Sequence, residues 1–248
     1  MESMDDTHHT RHIPQKITNM EVVDFHSHIL PGADHGSSSV ETSIKQLDNA
    51  NANGVKRIVA TPHFYPTKHL LDDFLSRRER SYSKLKDALT AHSPEIRIGA
   101  EVLVCEGISR MPGIEKLCIE GTNTILLELP FTKLGDRHFR MVSEVYDLGF
   151  NVVLAHADRY NHTFINSLLD KHNISVQINA SAISGLFIPR HIKNWFKNNR
   201  VCAIGSDVHG SSATPYIKFR KAVKKIGKYA DYVKEQSDII WEKTKAHV

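Results

Sequence analysis

Short apolar runs rich in Val, Ile and Leu recur along this chain with amphipathic stretches between them, and that alternation constrains the fold more than any other feature. The runs lie at 22–25, 57–60, 96–102, 124–129, 152–155, 175–178 and 201–204. They are mostly continuous, as expected of parallel strands buried on both faces. Between them, Ser38 and Glu41 have capping-box spacing, Val40, Ile44 and Leu47 form an apolar stripe, and Gly54 offers a C-terminal stop. Further stripes run through Leu75, Tyr82, Leu85 and Leu89, then through Phe139, Val142 and Tyr146 as far as Gly149. Phe164, Leu168 and Leu169 mark a fourth, Trp195 and Phe196 a fifth, and residues 215–245 read as helical and able to close the structure. Strands alternating with helices predict βα units on a parallel sheet. Seven units predict an α/β fold that closes, or nearly closes, into a barrel, with an open doubly wound sheet as the alternative.

A chain of 248 residues, 40% of them hydrophobic, suits one such domain. Residues 1–19 show no periodicity and are expected to form a disordered extension despite His8, His9 and His12; the domain is expected over 20–248. No apolar run reaches the roughly 18 residues of a membrane span, and residues 1–20 lack the apolar centre of a secretory leader. Cys105, Cys118 and Cys202 are an odd number with no CxxC, which fits reduced thiols and a cytoplasmic location. The net charge of +4 favours anionic partners mildly and does not by itself indicate nucleic acid.

Histidine is the compositional outlier, with 16 copies, and their placement carries the functional argument. The first run leads into Asp24-Phe25-His26-Ser27-His28, the second into His63, the third into Glu101 and the fourth into Glu128. The fifth leads into His156 and the seventh into Asp207-Val208-His209; the sixth, ending at Asn179, offers no evident ligand. In parallel α/β folds, ligands bind outside the carboxyl ends of the strands, so these side chains are expected to converge. Imidazoles and carboxylates are the ligands of Zn²⁺, Mn²⁺ and Fe²⁺. Each residue alone has an ordinary explanation as a core histidine, a solvated carboxylate or a cap. Six strand ends carrying them together do not, because burying such groups without a cation is costly.

The stretches DFHSHILPGADHG (24–36), GVKRIVATPHFY (54–65), GAEV (99–102), LLELP (126–130), VLAHADRY (153–160), QINASAISG (177–185) and IGSDVHG (204–210) resemble the PHP (polymerase and histidinol phosphatase) superfamily. Within it the chain is most similar to the bacterial manganese-dependent protein-tyrosine phosphatases of capsule and exopolysaccharide gene clusters. The resemblance implies a distorted (β/α)₇ TIM-like barrel with three divalent metal ions, Mn²⁺ first and Zn²⁺ or Fe²⁺ as alternatives. It implies His26, His28 and Asp207 on the first ion, with Glu101 as a bridging carboxylate. Glu128 and His156 match ligands of the second ion, and His63 and His209 match ligands of the third. Arg159 matches an arginine that contacts the substrate phosphate, with Asp158 a possible proton donor. The implied activity is hydrolysis of phosphotyrosine on an exopolysaccharide-assembly kinase through a metal-bridging hydroxide. A small-molecule phosphatase acting on histidinol phosphate or a sugar phosphate would use the same centre, and a nuclease has only the mild basicity in its favour.

Two positions depart from the phosphatase pattern. Asp34-His35-Gly36 stands where Asp-Asp-Gly is usual, which puts His35 at the ligand position and makes Asp34 the lesser candidate. Thr214-Pro215 stands where a second phosphate-binding arginine is usual. Cysteine-based phosphatase chemistry is disfavoured, because Cys105 with Arg110 is one residue short of C-x5-R.

Overall fold

The computed structural model describes residues 22–242, so the expected extension over 1–19, its three histidines and residues 243–248 lie outside the described residues. Among the described residues, nine strands form one all-parallel sheet: β1 Asp24–Ser27, β2 Arg57–Ala60, β3 His63–Phe64, β4 Glu95–Ile98, β5 Glu101–Leu103, β6 Thr124–Glu128, β7 Asn151–Leu154, β8 Ser175–Asn179 and β9 Val201–Gly205. Their order is β3-β5-β6-β7-β8-β9-β1-β2-β4. The outermost members, β3 and β4, belong to interrupted strands. β3 follows β2 after Thr61 and Pro62, and β5 follows β4 after Gly99 and Ala100. The pairing register runs through both breaks, with Ala60 opposite Ile98 and His63 opposite Glu101. The N–H groups of Gly99 and Glu101 donate to the carbonyls of Ala60 and Pro62 at 2.8 and 3.1 Å. Seven strand positions therefore curl round into the predicted barrel, and the expected strand over 96–102 is in fact two. Pro62 has no N–H to give the ladder, which accounts for the interruption before β3.

The helices are α1 Val40–Ala52, α2 Leu71–Lys86, α3 Asp136–Asp147, α4 His162–Lys171, α5 Ala180–Ile183, α6 Arg190–Lys197, α7 Thr214–Ile226 and α8 Ala230–Glu242. The cap of α1 is Ser39, which accepts from the Thr42 N–H, one residue later than the expected Ser38. In α2 the buried face is Phe74, Arg78, Ser81 and Leu85, so of the expected stripe only Leu85 is fully buried. Arg78 is tolerated there because its guanidinium donates to the carbonyls of Gly99 and Lys116, both at 3.1 Å.

The apolar interior falls into two clusters. The larger lies between strands and helices. The smaller collects Phe25, Val59, Leu126 and Val153 from the strands, and Val23 just before β1, with Trp241 from α8. Trp241 also lies beneath the guanidinium groups of Arg97 and Arg57, at 4.7 and 5.6 Å, and Arg57 begins β2. α8 thus joins the inner cluster at the end where the strands start. The polar side chains singled out by the sequence gather at the other end.

Candidate metal centre

Strand β1 places its two histidines through a bulge. Asp24 pairs with Ile58, yet Ser27 pairs with Ala60, so β1 carries one extra residue. A regular strand would send Phe25 and His26 to opposite faces. Here Phe25 joins the inner apolar cluster, and His26 still reaches Gln177 and Glu101. Bulges re-aim side chains in this way beside functional sites. Two of the three described non-glycine residues with positive φ also lie here, His156 at 32° and Asp207 at 51°. Each is held by its own N–H, His156 on Gln177 Oε1 at 2.7 Å and Asp207 on the His26 carbonyl at 2.9 Å.

Glu101, fully buried, stands at the centre. Its Oε1 is 2.7 Å from His156 Nε2. Its Oε2 is 2.8 Å from His63 Nδ1, 3.3 Å from His26 Nε2 and 3.4 Å from His28 Nε2. None of these Oε2 contacts has the direction of a hydrogen bond, and Glu101 Oε2, Glu128 Oε2 and His63 Nδ1 are buried without a hydrogen-bond partner. His26 and His28 bring their Nε2 atoms to 3.1 Å of each other. Among the described residues, three groups offer ligand atoms within 4.8 Å of one another: His26, His28 and Asp207; His63, Glu101 and Glu128; and His28, His63 and His209. Buried lone pairs that face one another and lack donors are costly unless a cation lies among them. Mixed imidazole and carboxylate donors suit Mn²⁺, Fe²⁺ or Zn²⁺, so these residues fit divalent ions.

The charge balance points the same way. Burial alone would raise the Glu101 pKa; the imidazoles of His26, His156 and His28 outweigh it and hold the carboxyl well below its usual range. Asp207 is likewise held low against its burial, by His28, His26 and Arg159. Burial opposes protonation of His156, but the carboxylates of Glu101 and Glu128 prevail and push its pKa up to about 9.

A second layer fixes the nitrogen that His28 and His26 present. His28 Nδ1 is 2.7 Å from Asp34 Oδ2, which leaves Nε2 facing the cluster. Asp34 also accepts from the N–H groups of Gly36 and His63, at 2.8 and 3.0 Å, so both its oxygens are engaged. Burial works to raise its pKa, and His28 with these two N–H groups brings it below the usual carboxylate value. Gln177 Oε1 takes His26 Nδ1 at 3.1 Å, while Gln177 Nε2 donates to Asn179 Oδ1 at 3.0 Å. Asn179 Nδ2 then donates to Asp207 Oδ2 at 2.9 Å. β8, which seemed empty of ligands, therefore supplies the support. Its signal was the pair Gln177 and Asn179, two residues apart at a strand's carboxyl end. Packing leaves no slack there: a Cβ on Gly205 would lie 2.5 Å from Gln177 Nε2 and 2.6 Å from His26 Cβ.

The remaining candidates are less central. His35 is exposed and stacks on His63 and His209, at ring separations of 4.9 and 4.6 Å, without entering any of the three groups. His209 sets Nδ1 3.1 Å from the Asp207 carbonyl and leaves Nε2 without a partner. Arg159 is half exposed and pairs with Asp207 Oδ2. Asp158 lies outside this cluster: its Oδ1 accepts from the Asn179 N–H at 2.8 Å, and burial raises its pKa. A cavity of about 490 Å³ is lined by Glu101, Glu128, His63, His156, Arg159 and Asp207 among others.

The family described as capsular polysaccharide synthesis, CpsB/CapC, matches residues 22–245. The chain belongs to this family. CapC of Staphylococcus aureus is 26% identical over 207 residues, covering 79% of this chain and 80% of its own. The tyrosine-protein phosphatase CpsB of Streptococcus pneumoniae is 24% identical over 217 residues, covering 79% and 87%. Among solved structures, one from the pair YwqE of Bacillus subtilis and CpsB of Streptococcus pneumoniae, described as unique metal-dependent tyrosine phosphatases, superposes with a TM-score of 0.75. It is 19% identical and covers 91% of this chain and 96% of its own, so the CpsB/CapC member has the same fold as that structure.

Two outcomes follow for metal loading. Gln177→Ala removes the acceptor of His26 Nδ1 and of the His156 N–H. Losses of such outer partners typically cost about 10–100-fold in metal affinity, and a competition titration with a fluorescent chelator is expected to show that loss. Second, an ion held by His156 would require the neutral imidazole, whose pKa is pushed up to about 9 by Glu101 and Glu128. Below that pH, binding must expel a proton, so affinity rises with pH up to about 9. The same titration from pH 6 to 9 is expected to give a gain of about tenfold per unit for each proton displaced.

Proposed function

We propose that this CpsB/CapC member is a metal-dependent phosphomonoesterase of the protein-tyrosine phosphatase type, acting on phosphotyrosine of a kinase that drives polysaccharide assembly. The observation that supports it best is the cavity that places Arg159 beside Glu101, Glu128, His63, His156 and Asp207. The curated relatives' names point the same way. We assign His26, His28 and Asp207 to a first ion, Glu128 and His156 to a second, and His63 and His209 with His35 to a third, with Glu101 shared between ions. Manganese is the ion we expect. Divalent ions held there lower the pKa of water toward neutrality and offset charge on the phosphoryl oxygens.

The chain's own groups do the rest. Arg159 has five N–H donors, so it can hold Asp207 with some and two phosphoryl oxygens with others. Lys218 lines a neighbouring cavity of about 300 Å³ together with Arg159 and Thr214. It supplies a second cation one helical turn beyond the position where the resemblance leads one to expect an arginine. Asp158, engaged with the Asn179 N–H, holds the Arg159 loop against β8. A phenolate, with a pKa of about 10, leaves with little protonation, which suits a site whose Asp158 carboxyl is engaged by the Asn179 N–H. All three cysteines are free, and no helix among the described residues is long and apolar enough to cross a membrane. We place the protein in the cytoplasm.

The test is phosphate release by chelator-stripped protein resupplied with Mn²⁺, on a phosphotyrosine peptide, a phosphoserine peptide and histidinol phosphate. Release from the tyrosine peptide that depends on metal is expected. Arg159→Ala is expected to lower kcat/KM about 10²–10³-fold, as removal of a donor to transition-state charge does. Release from histidinol phosphate alone would reassign the protein as a small-molecule phosphatase.

A further inference from the structure

Phe131 is 65% exposed although it borders the cavity that holds the fully buried Glu101. Its ring stacks on His156, at 5.9 Å and 20°, and on Tyr160, at 5.7 Å and 28°. The segment that carries it is pinned. The Tyr160 hydroxyl donates to the Leu129 carbonyl at 2.8 Å and accepts from the Leu129 N–H at 3.1 Å. Pro130 then fixes one backbone angle directly before Phe131. The ring is thus an anchored shelf rather than a loose loop residue. It also stands at a boundary. Phe131 and Arg159 line both the cavity that holds Glu101 and an adjoining groove of about 740 Å³. That groove continues past Thr132, Lys133, Asn161 and Thr163, away from the metal-ligand cluster.

An exposed aromatic ring with one face supported has another side on which to receive a partner. Offset stacking between aromatic rings favours centroid separations of about 4.5–7 Å, the range in which Phe131 already holds its two neighbours. A phosphate placed between Arg159 and Glu101 leaves its ester substituent to exit along the cavity wall. Phe131 and Arg159 are the side chains shared by the two spaces, so that wall includes Phe131.

We propose that Phe131 selects aryl over alkyl phosphates, its exposed ring receiving the aromatic ring of the leaving group while the phosphate sits beside Arg159. The inference rests on the phosphatase reading above. It adds the residue that distinguishes phosphotyrosine from phosphoserine and from aliphatic phosphates, and it directs the flanking polypeptide into the groove beside Lys133. Phe131 acts on binding and positioning and takes no part in proton transfer.

Phosphonates bind without turning over, so they test the shelf apart from catalysis. Phenylphosphonate and methylphosphonate would be titrated calorimetrically into Mn²⁺-loaded wild type, Phe131→Ala and Phe131→Trp. Wild type is expected to prefer phenylphosphonate. Phe131→Ala is expected to weaken phenylphosphonate by about 3–10-fold and methylphosphonate by less than about twofold, with Phe131→Trp keeping the preference. Equal weakening of both ligands would mean that Phe131 only packs His156, and would overturn the proposal. So would unchanged affinities, or a wild type with no preference. Hydrolysis of the phosphotyrosine and phosphoserine peptides by the same variants separates the two claims. No phosphate release from any substrate, with the Phe131-dependent preference intact, would sink the phosphatase reading and leave the aryl shelf standing.

Discussion

The structure depends on one arrangement, a fully buried carboxylate, Glu101, surrounded by the imidazoles of His26, His28, His63 and His156. An ionised carboxyl in a protein interior is costly unless paired and hydrogen-bonded. Glu101 has one good hydrogen bond, to His156, and one oxygen with none. The geometry is poor for hydrogen bonding among protein groups and well suited to oxygen and nitrogen ligands around cations. The bulge in β1 and the left-handed conformations of His156 and Asp207 occur beside this carboxylate, and the break between β4 and β5 directly precedes it.

Around that centre the hydrogen bonds form a continuous relay. Gln177 links His26 and His156, Asn179 links Gln177 to Asp207, and Arg159 meets Asp207 from the solvent side. The charge of Arg159 is thereby coupled to the orientation of the buried imidazoles. The same relay explains why β8 carries amides where its neighbours carry imidazoles and carboxylates. An amide oxygen accepts from an imidazole N–H and leaves the opposite ring nitrogen for a metal. Separation of the two apolar clusters completes the design: α8 closes the inner cluster where the strands begin, so polar groups can occupy the end where they finish.

Much of this was legible in the sequence. Continuous apolar runs located all seven strand positions, because strands buried on both faces have no polar alternation to blur them. That these side chains gather at one end of the sheet was legible because parallel topology sends every carboxyl end the same way. The breaks at Pro62 and at Gly99-Ala100 were not, since neither interrupts the apolar pattern by more than two residues. Nor was the buried face of α2, where Arg78 replaces an apolar residue by reaching two backbone carbonyls that no local pattern reveals. Gln177 and Asn179 were missed because amides are common in strands and become informative only when their partners, distant in sequence, are known. Asp158, which its place beside Arg159 makes a candidate proton donor, sets a carboxylate oxygen on the Asn179 N–H of β8, a contact that sequence spacing does not reveal.

The central claim is that the cluster around Glu101 exists to hold cations. Anomalous diffraction from crystals of Mn²⁺-loaded protein, recorded on both sides of the manganese absorption edge, tests it most directly. The account predicts edge-dependent peaks within bonding distance of His26, His28 and Asp207, of Glu128 and His156, and of His63 and His209. The same crystals without such peaks, with Glu101 Oε2 instead drawn into ordinary hydrogen bonds by His63 or His26, would contradict it.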